Sequence, residues 1–374
     1  MAPHLIHVIP GFSPGGAQVR ICDLMNYFGP RFRHTVVALN GDVRARERLD
    51  AAVDIRLVSG PHGRSSLSML QQMRGLLAAL RPDLVLTYNW GAIEAVMAAS
   101  LPRLCPVIHT EDGFGPDEAR RQKRRRVWFR RFALRFAHCV VAPSMNLTRL
   151  MRTVWKLPEA KVKYIPNGID IARFIPRPAG GDPRDLVVGT VGQLRPEKRQ
   201  DLLIRACAEL ARTRPLKLVL AGDGPERARL EALARSLEFS ANVLFLGHQP
   251  DVCPVYRELD IFCLTSSTEQ MPFSILEAMA SGIPVVATDV GDVQQMVCSQ
   301  NRIFVAPAEG FFSALARLAA DAPLRQALGA ANREHCEAVY GRERMCEQYG
   351  ALYENALARC GDPVLQIGKE SHAR

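Results

Sequence analysis

Ile261-Phe262-Cys263-Leu264-Thr265-Ser266-Ser267-Thr268-Glu269-Gln270-Met271-Pro272-Phe273-Ser274-Ile275-Leu276-Glu277-Ala278-Met279-Ala280-Ser281-Gly282 runs from a short apolar strand pattern, through a polar loop, into a helix pattern that Gly282 stops. A strand, a loop and a helix N-terminus make the place where an α/β protein holds an anion. Unpaired backbone N–H groups and the positive end of the helix dipole converge there. Glu269 and Glu277 lie eight positions apart, so a phosphate in the loop has a carboxylate on each side. Carboxylates do not ligate phosphate, but they accept hydrogen bonds from sugar hydroxyls. The segment reads as a holder of a sugar attached to a phosphate.

The same alternation fills the chain. Leu5–Ile9, His34–Leu39, Leu84–Tyr88, Val107–His109, Cys139–Ala142 and Val162–Ile165 read as strands, with helix patterns such as Ser66–Leu80 and Arg120–His138 between them. A stretch rich in proline and glycine, Pro166–Pro183, interrupts the series. It then restarts with Leu186–Val191, Leu216–Ala221, Val243–Leu246, Ile261–Leu264, Val285–Ala287 and Ile303–Val305. Continuously apolar strands alternating with helices mean parallel sheets covered on both faces. Two series around a breaker-rich linker mean two doubly wound α/β domains, with ligand expected at the C-terminal strand ends and in an interdomain cleft. Beyond Gly310 the pattern is helical to about Ala358, and Gly361–Arg374 is polar.

The length of 374 residues suits two cores rather than one. No apolar run reaches the ~18 residues of a membrane span, and Met1–Pro10 lacks the pattern of a secretory signal. Ten scattered cysteines form no Cys-x-x-Cys pair, which favours reduced thiols and a cytoplasmic setting over disulfides or a zinc site. A formal charge of +10 favours an anionic partner: nucleotide phosphate, acidic lipid or nucleic acid.

Five further constellations bear on chemistry. Gly15-Gly16 follows the first strand and opens a helix, which lets backbone approach a ligand; a plain tight turn would read the same. It is not the G-x-G-x-x-G dinucleotide pattern, so a nicotinamide enzyme is disfavoured. Gly192-Gln193-Leu194-Arg195-Pro196-Glu197-Lys198 places Arg195 and Lys198 at a loop-to-helix junction, where cations are unfavourable unless they answer an anion such as a diphosphate. Gly222-Asp223-Gly224-Pro225 follows another strand. His109 ends a strand of the first domain, expected to face the cleft. A basic run, Arg120–Arg131, overlaps an aromatic face of Trp128, Phe129, Phe132, Ala133 and Phe136. We expect these aromatics to pack inward while the arginines touch an anionic membrane surface; no recognised motif supports nucleic acid. No Asp-x-Asp pair occurs, so a metal-bridged diphosphate has no obvious ligand set and no metal cofactor is expected.

Together the segments resemble family 4 of the retaining glycosyltransferases, of GT-B fold, over nearly the whole chain. The E-x7-E segment Glu269–Glu277 is the most specific part, supported by Gly15-Gly16, Pro166-Asn167-Gly168-Ile169-Asp170, Gly192–Lys198 and Gly222–Pro225. The resemblance implies that residues 1–168 bind acceptor, 183–341 bind the nucleotide sugar, 169–182 link them, helices in 342–360 pack back on the first domain, and 361–374 form a tail. It implies catalytic roles for Glu269, His109 and Lys198. Donor binding would fall to Gly15, Gly16, Gln193, Arg195, Lys198, Gly222, Met271, Phe273, Ser274, Ile275, Leu276 and Glu277. Gln193 stands where the family commonly carries arginine, and Gln270-Met271-Pro272 replaces a common Gly-Phe-Gly. The implied activity is metal-independent, retaining transfer of a hexose-type sugar from a nucleoside diphosphate sugar, with UDP or GDP left open, to a glycan or lipid-linked acceptor. A nucleotide-sugar epimerase of similar fold and a non-catalytic basic binding protein are the alternatives.

Overall fold

The computed structural model describes residues 2–61, 66–101, 104–114, 118, 121–177 and 185–358. The described residues up to Asn167, with those from Glu343 on, form one compact unit; those from Gly168 to Arg342 form another.

The first unit is built on seven strands: β1 (His4–Ile9), β2 (Arg33–Ala38), β3 (Ile55–Ser59), β4 (Leu84–Tyr88), β5 (Val107–Thr110), β6 (Cys139–Ala142) and β7 (Val162–Tyr164). Their order is β3-β2-β1-β4-β5-β6-β7, and every pairing is parallel. The second unit has β8 (Leu186–Val191), β9 (Leu216–Ala221), β10 (Val243–Gly247), β11 (Ile261–Leu264), β12 (Val285–Thr288) and β13 (Val305–Ala306), in the order β10-β9-β8-β11-β12-β13, again parallel. In each sheet the chain starts near the middle, winds to one edge, then restarts on the other side. The order reverses between β1 and β4 and between β8 and β11. At such a switch point neighbouring loops part and leave a crevice at the C-terminal strand ends.

The central strands are covered on both faces, which is why their sequence is apolar without alternation. β3 is the strand that the hydrophobic pattern does not reveal. It is an edge strand whose Arg56 and Ser59 are exposed, so its apolar signal is halved. The expected strand Ile303–Val305 is mostly a 3-10 turn, Ser299–Phe304, leaving a two-residue strand from Val305. The expected helix Arg120–His138 is shorter, Arg124–Ala133, and continues as a 3-10 turn, Leu134–Phe136; Arg120 lies outside the described residues. The helix Arg342–Ala358 buries Met345, Cys346, Tyr349, Tyr353 and Ala356 in the core of the first unit, beside Phe28.

A row of histidines lies within that unit. His7 Nε2 is 3.0 Å from His34 Nδ1, and His7 Nδ1 is 3.0 Å from the Tyr88 hydroxyl. His4 Nε2 meets Thr35 Oγ1 at 2.8 Å. Burial lowers His34 to about 4; Asp54 works against that shift and His4 adds to it. Burial, followed by His34 and His4, holds His7 well below the usual histidine range. Such groups bind protons more readily in the unfolded chain, so their contribution is intact above pH 6.5 and is lost as pH falls from 6.5 toward 4. We expect His34 alone to account for about 3 kcal/mol of acid destabilisation. Denaturant unfolding at pH 7.5, 6 and 5 checks this: the loss on acidification should shrink in His34→Gln, and an equal loss in that variant removes the histidine explanation.

Candidate active site

The loops at the switch point of the second unit are clasped together. The loop after β8 is Gly192–Arg199, and the one after β11 is Thr265–Pro272. Thr265 Oγ1 donates to the Lys198 carbonyl at 2.9 Å, and the Ser267 N–H donates to the Glu197 carbonyl at 2.8 Å. These bonds bring Lys198 and Glu269 side by side from 71 residues apart, with Nζ 2.5 Å from Oε1. Ser266 Oγ donates to the same Oε1 at 2.8 Å. Among the described residues, hydrogen bonds to Glu269 fall on Oε1 alone, which leaves Oε2 for an incoming hydroxyl. Both side chains are half-buried, at 28% and 13% exposure, so the pair is both shielded and reachable. Lys198 thus answers an anion even without ligand.

The helix Phe273–Ala280 starts directly after this loop. Pro272 is its N-cap and supplies no side-chain oxygen, and its first turn carries no acidic residue. The N-terminus therefore keeps its demand for an anion. Ile275 and Leu276 are fully buried in the core, so only their backbone can serve a ligand; Met271 is buried as well, while Phe273 and Ser274 are partly exposed. Glu277 lies one turn further on and is half-buried. Its Oε2 accepts from the Tyr256 hydroxyl at 2.7 Å. Burial, then the adjacent Glu277 carboxylate, push that hydroxyl well above the usual tyrosine range, so it stays protonated and donates. Tyr256 thereby fixes the carboxylate's direction.

Two glycines hold the loops at contact distance. A Cβ on Gly222, at φ +142, would lie 1.9 Å from the Gly192 carbonyl oxygen. A Cβ on Gly291, at φ +58, would lie 2.5 Å from the Glu269 carbonyl oxygen. The exposed Gln193 side chain and Arg195, 51% exposed and 3.9 Å from Glu197, border the same loop.

The remaining expected site residues belong to the first unit. Gly15 is the extended N-cap of the helix Gly16–Phe28, and both glycines are exposed. His109 does not present an open edge as expected. Its ring is fully buried, with Nδ1 2.9 Å from Thr87 Oγ1 and Nε2 3.7 Å from Glu111 Oε2. The cause is register and cover. Thr87 and His109 are direct partners on β4 and β5, and Arg130, 3.4 Å from Glu111, closes over the strand end. Sequence reading passed over Thr265, Ser266, Tyr256 and Gly291. Each acts by supporting a neighbour distant in the chain, and no local pattern marks such support.

Comparison with known proteins places this arrangement. A model of "Glycosyl transferases group 1" matches residues 173–335, and one of "Glycosyltransferase Family 4" matches residues 14–173. The chain belongs to the family 4 glycosyltransferases. This glycosyltransferase is 26% identical over 306 residues to the putative glycosyltransferase EpsF of Bacillus subtilis, covering 76% of this chain and 79% of that one. It is 32% identical over 250 residues to a D-inositol 3-phosphate glycosyltransferase of Saccharomonospora viridis, covering 61% of this chain and 58% of that one. Among solved structures, Anabaena HepE in complex with UDP aligns over 94% of this chain and 100% of that one, at TM-score 0.78 and 20% identity. Sucrose-phosphate synthase from Thermosynechococcus elongatus aligns over 95% and 100%, at TM-score 0.79 and 21% identity. The fold is GT-B, with two Rossmann-like domains. Among the described residues no group of three or more His, Cys, Asp or Glu could hold a metal ion, and no helix is long and apolar enough to cross a membrane.

Proposed function

We propose that this glycosyltransferase moves a hexose-type sugar from a nucleoside diphosphate sugar to a hydroxyl of a glycan or lipid-linked acceptor, retaining anomeric configuration and needing no metal. The observation that carries this reading is the Lys198–Glu269 pair at the mouth of the uncapped helix Phe273–Ala280. When the bond from the sugar's C1 to the diphosphate breaks, its electron pair stays on the diphosphate. A lysine and a helix N-terminus are suited to meet that charge, and they supply what a bridging metal otherwise supplies. Glu277, held by Tyr256, would accept from the ribose hydroxyls, and Glu269 Oε2 would accept from the donor sugar. The first unit would serve the acceptor, while its Gly15-Gly16 turn would serve donor binding.

HepE is described with UDP and with UDP-glucose, which favours a uridine donor here. A thermal-shift series with UDP, GDP and their sugars, run in EDTA, tests the reading. The matching nucleotide should raise the melting temperature as ln(1 + [L]/Kd). Glu277→Ala should cost about tenfold or more in nucleoside diphosphate affinity, because a charge-assisted hydrogen bond contributes about 1.5–3 kcal/mol. A Glu277→Ala protein that binds and transfers like the parent defeats the assignment, as does conversion of the donor to an epimer without acceptor.

A further inference from the structure

The helix Arg124–Ala133 has an inner and an outer face, and the expected inward row divides between them: Phe129 and Ala133 pack on the core, while Trp128, Phe132 and Phe136 do not. Arg130 points inward beside Phe129 and Ala133. Its guanidinium is fully buried, 4.9 Å from the Trp90 ring centroid, 5.2 Å from Phe114 and 5.1 Å from Trp155. Buried Glu118 takes its Nη2 at 3.1 Å, and Glu111 lies 3.4 Å from its Nε. Two carboxylates and three aromatic rings offset the desolvation of one cation. They also clamp the helix to the unit by its inner face.

The outer face is thereby fixed in solvent. Trp128 is 70% exposed, Phe132 49% and Phe136 41%. Arg124, Arg125 and Arg135 are exposed around them, and no acidic residue occurs between Arg121 and Phe136. Phe132 and Phe136 pack edge to face at 5.3 Å. Arg131 donates to the Val154 carbonyl at 2.8 Å, and Val154 is itself exposed. Large apolar groups this exposed, contiguous and ringed by one sign of charge mark an interaction surface.

We propose that this face docks on an anionic lipid bilayer: Trp128, Phe132 and Phe136 enter the boundary between headgroups and acyl chains, and Arg124, Arg125 and Arg135 meet lipid phosphates. Charge complementarity selects the partner. An amphipathic helix with aromatics and arginines on one solvent-facing side, and no acid to repel a negative surface, matches a negatively charged interface in both its apolar and polar parts. Trp gains at this depth because its ring is largely dry while its indole N–H stays wet, and Phe gains by burying a wholly apolar ring. A nucleic acid would use the arginines but would leave the edge-to-face phenylalanine pair without a flat stacking partner. This inference does not depend on the donor or acceptor of the transfer reaction.

The test uses the full chain and vesicles of phosphatidylcholine with or without about one-third phosphatidylglycerol. The protein should pellet with the mixed vesicles and not with phosphatidylcholine alone, and pelleting should weaken in high salt. Each arginine neutralised at Arg124 or Arg125 should lower the partition coefficient about fivefold. Trp128→Ala/Phe132→Ala should lower it about tenfold or more at unchanged charge. Brominated lipid should quench wild-type tryptophan emission and should lose most of that effect in Trp128→Phe. Trp90 and Trp155 stay shielded in the Arg130 cage and serve as internal references. The idea is overturned by equal pelleting of the aromatic double variant or by absence of quenching in the wild type. It is equally overturned by salt-sensitive binding to a nucleic acid duplex that exceeds binding to anionic vesicles.

Discussion

Glu269→Gln is expected to lower kcat about 10²–10³-fold while leaving nucleoside diphosphate affinity equal or improved. The geometry sets both halves of that expectation. Glutamine keeps the length of glutamate and a carbonyl oxygen for Ser266, so the loop keeps its shape. It removes the charge that holds Lys198 at 2.5 Å. The freed ammonium then faces a bound diphosphate without a competing carboxylate, so binding does not suffer. On the proposed reading, what is lost is the anionic acceptor beside the donor sugar, where positive charge builds as the bond to the diphosphate breaks. Lys198→Ala is the converse: affinity for the nucleoside diphosphate should fall along with kcat, because the cation proposed to meet the phosphates is gone. Isothermal titration with nucleoside diphosphate and initial rates with saturating donor separate the two. If Glu269→Gln keeps more than half of the parent kcat, the carboxylate has no part in the chemistry. If it loses affinity in step with Lys198→Ala, the pair acts only as a structural bridge.

Gly222→Ala is expected to lower the melting temperature of the second unit by about 10 °C and to abolish donor binding. The added carbon would stand 1.9 Å from the backbone oxygen of Gly192, and φ +142 is a conformation alanine resists. Neither partner is a flexible side-chain tip, so the two loops must separate. We put the cost at roughly 3 kcal/mol, which in a unit of this size corresponds to that shift. Gly75→Ala is the control. Gly75 sits inside the helix Ser66–Leu80 and nothing lies within 4 Å of its missing Cβ, so alanine there should be neutral or stabilising. A calorimetric scan with and without nucleoside diphosphate reads both effects. A Gly222→Ala protein that melts with the parent would mean that the β8 and β9 loops do not need their close approach.

The two series of apolar strands were plain in the sequence because buried parallel strands write their environment into every residue. Leu216–Ala221 and Cys139–Ala142 have bounds that agree with their apolar runs. The edge strand β3 left a weaker trace, since two of its five residues are exposed and none is fully buried. The helix at Arg124–Ala133 misled for a different reason. Apolar periodicity takes an arginine to be exposed, and it has no means of seeing that Glu118, Glu111 and an aromatic cage await Arg130. His109 was noticed by its place at a strand end. That place does not reveal whether the ring faces a ligand or is roofed over, and here Thr87 and Glu111 enclose it.

The sequence by itself determined the class of fold and the two series of strands and helices that build it. These depend on local matters: strand and helix periods, turn residues and the order of motifs along the chain. The tertiary structure alone decided how the charges are paired and which faces remain in water. Lys198 meets Glu269, Tyr256 holds Glu277, and Arg130 turns inward so that Trp128 and Phe132 turn out. Pairing energies depend on distance and burial between residues far apart in the chain, and neither quantity exists until the loops at the strand ends have been brought together.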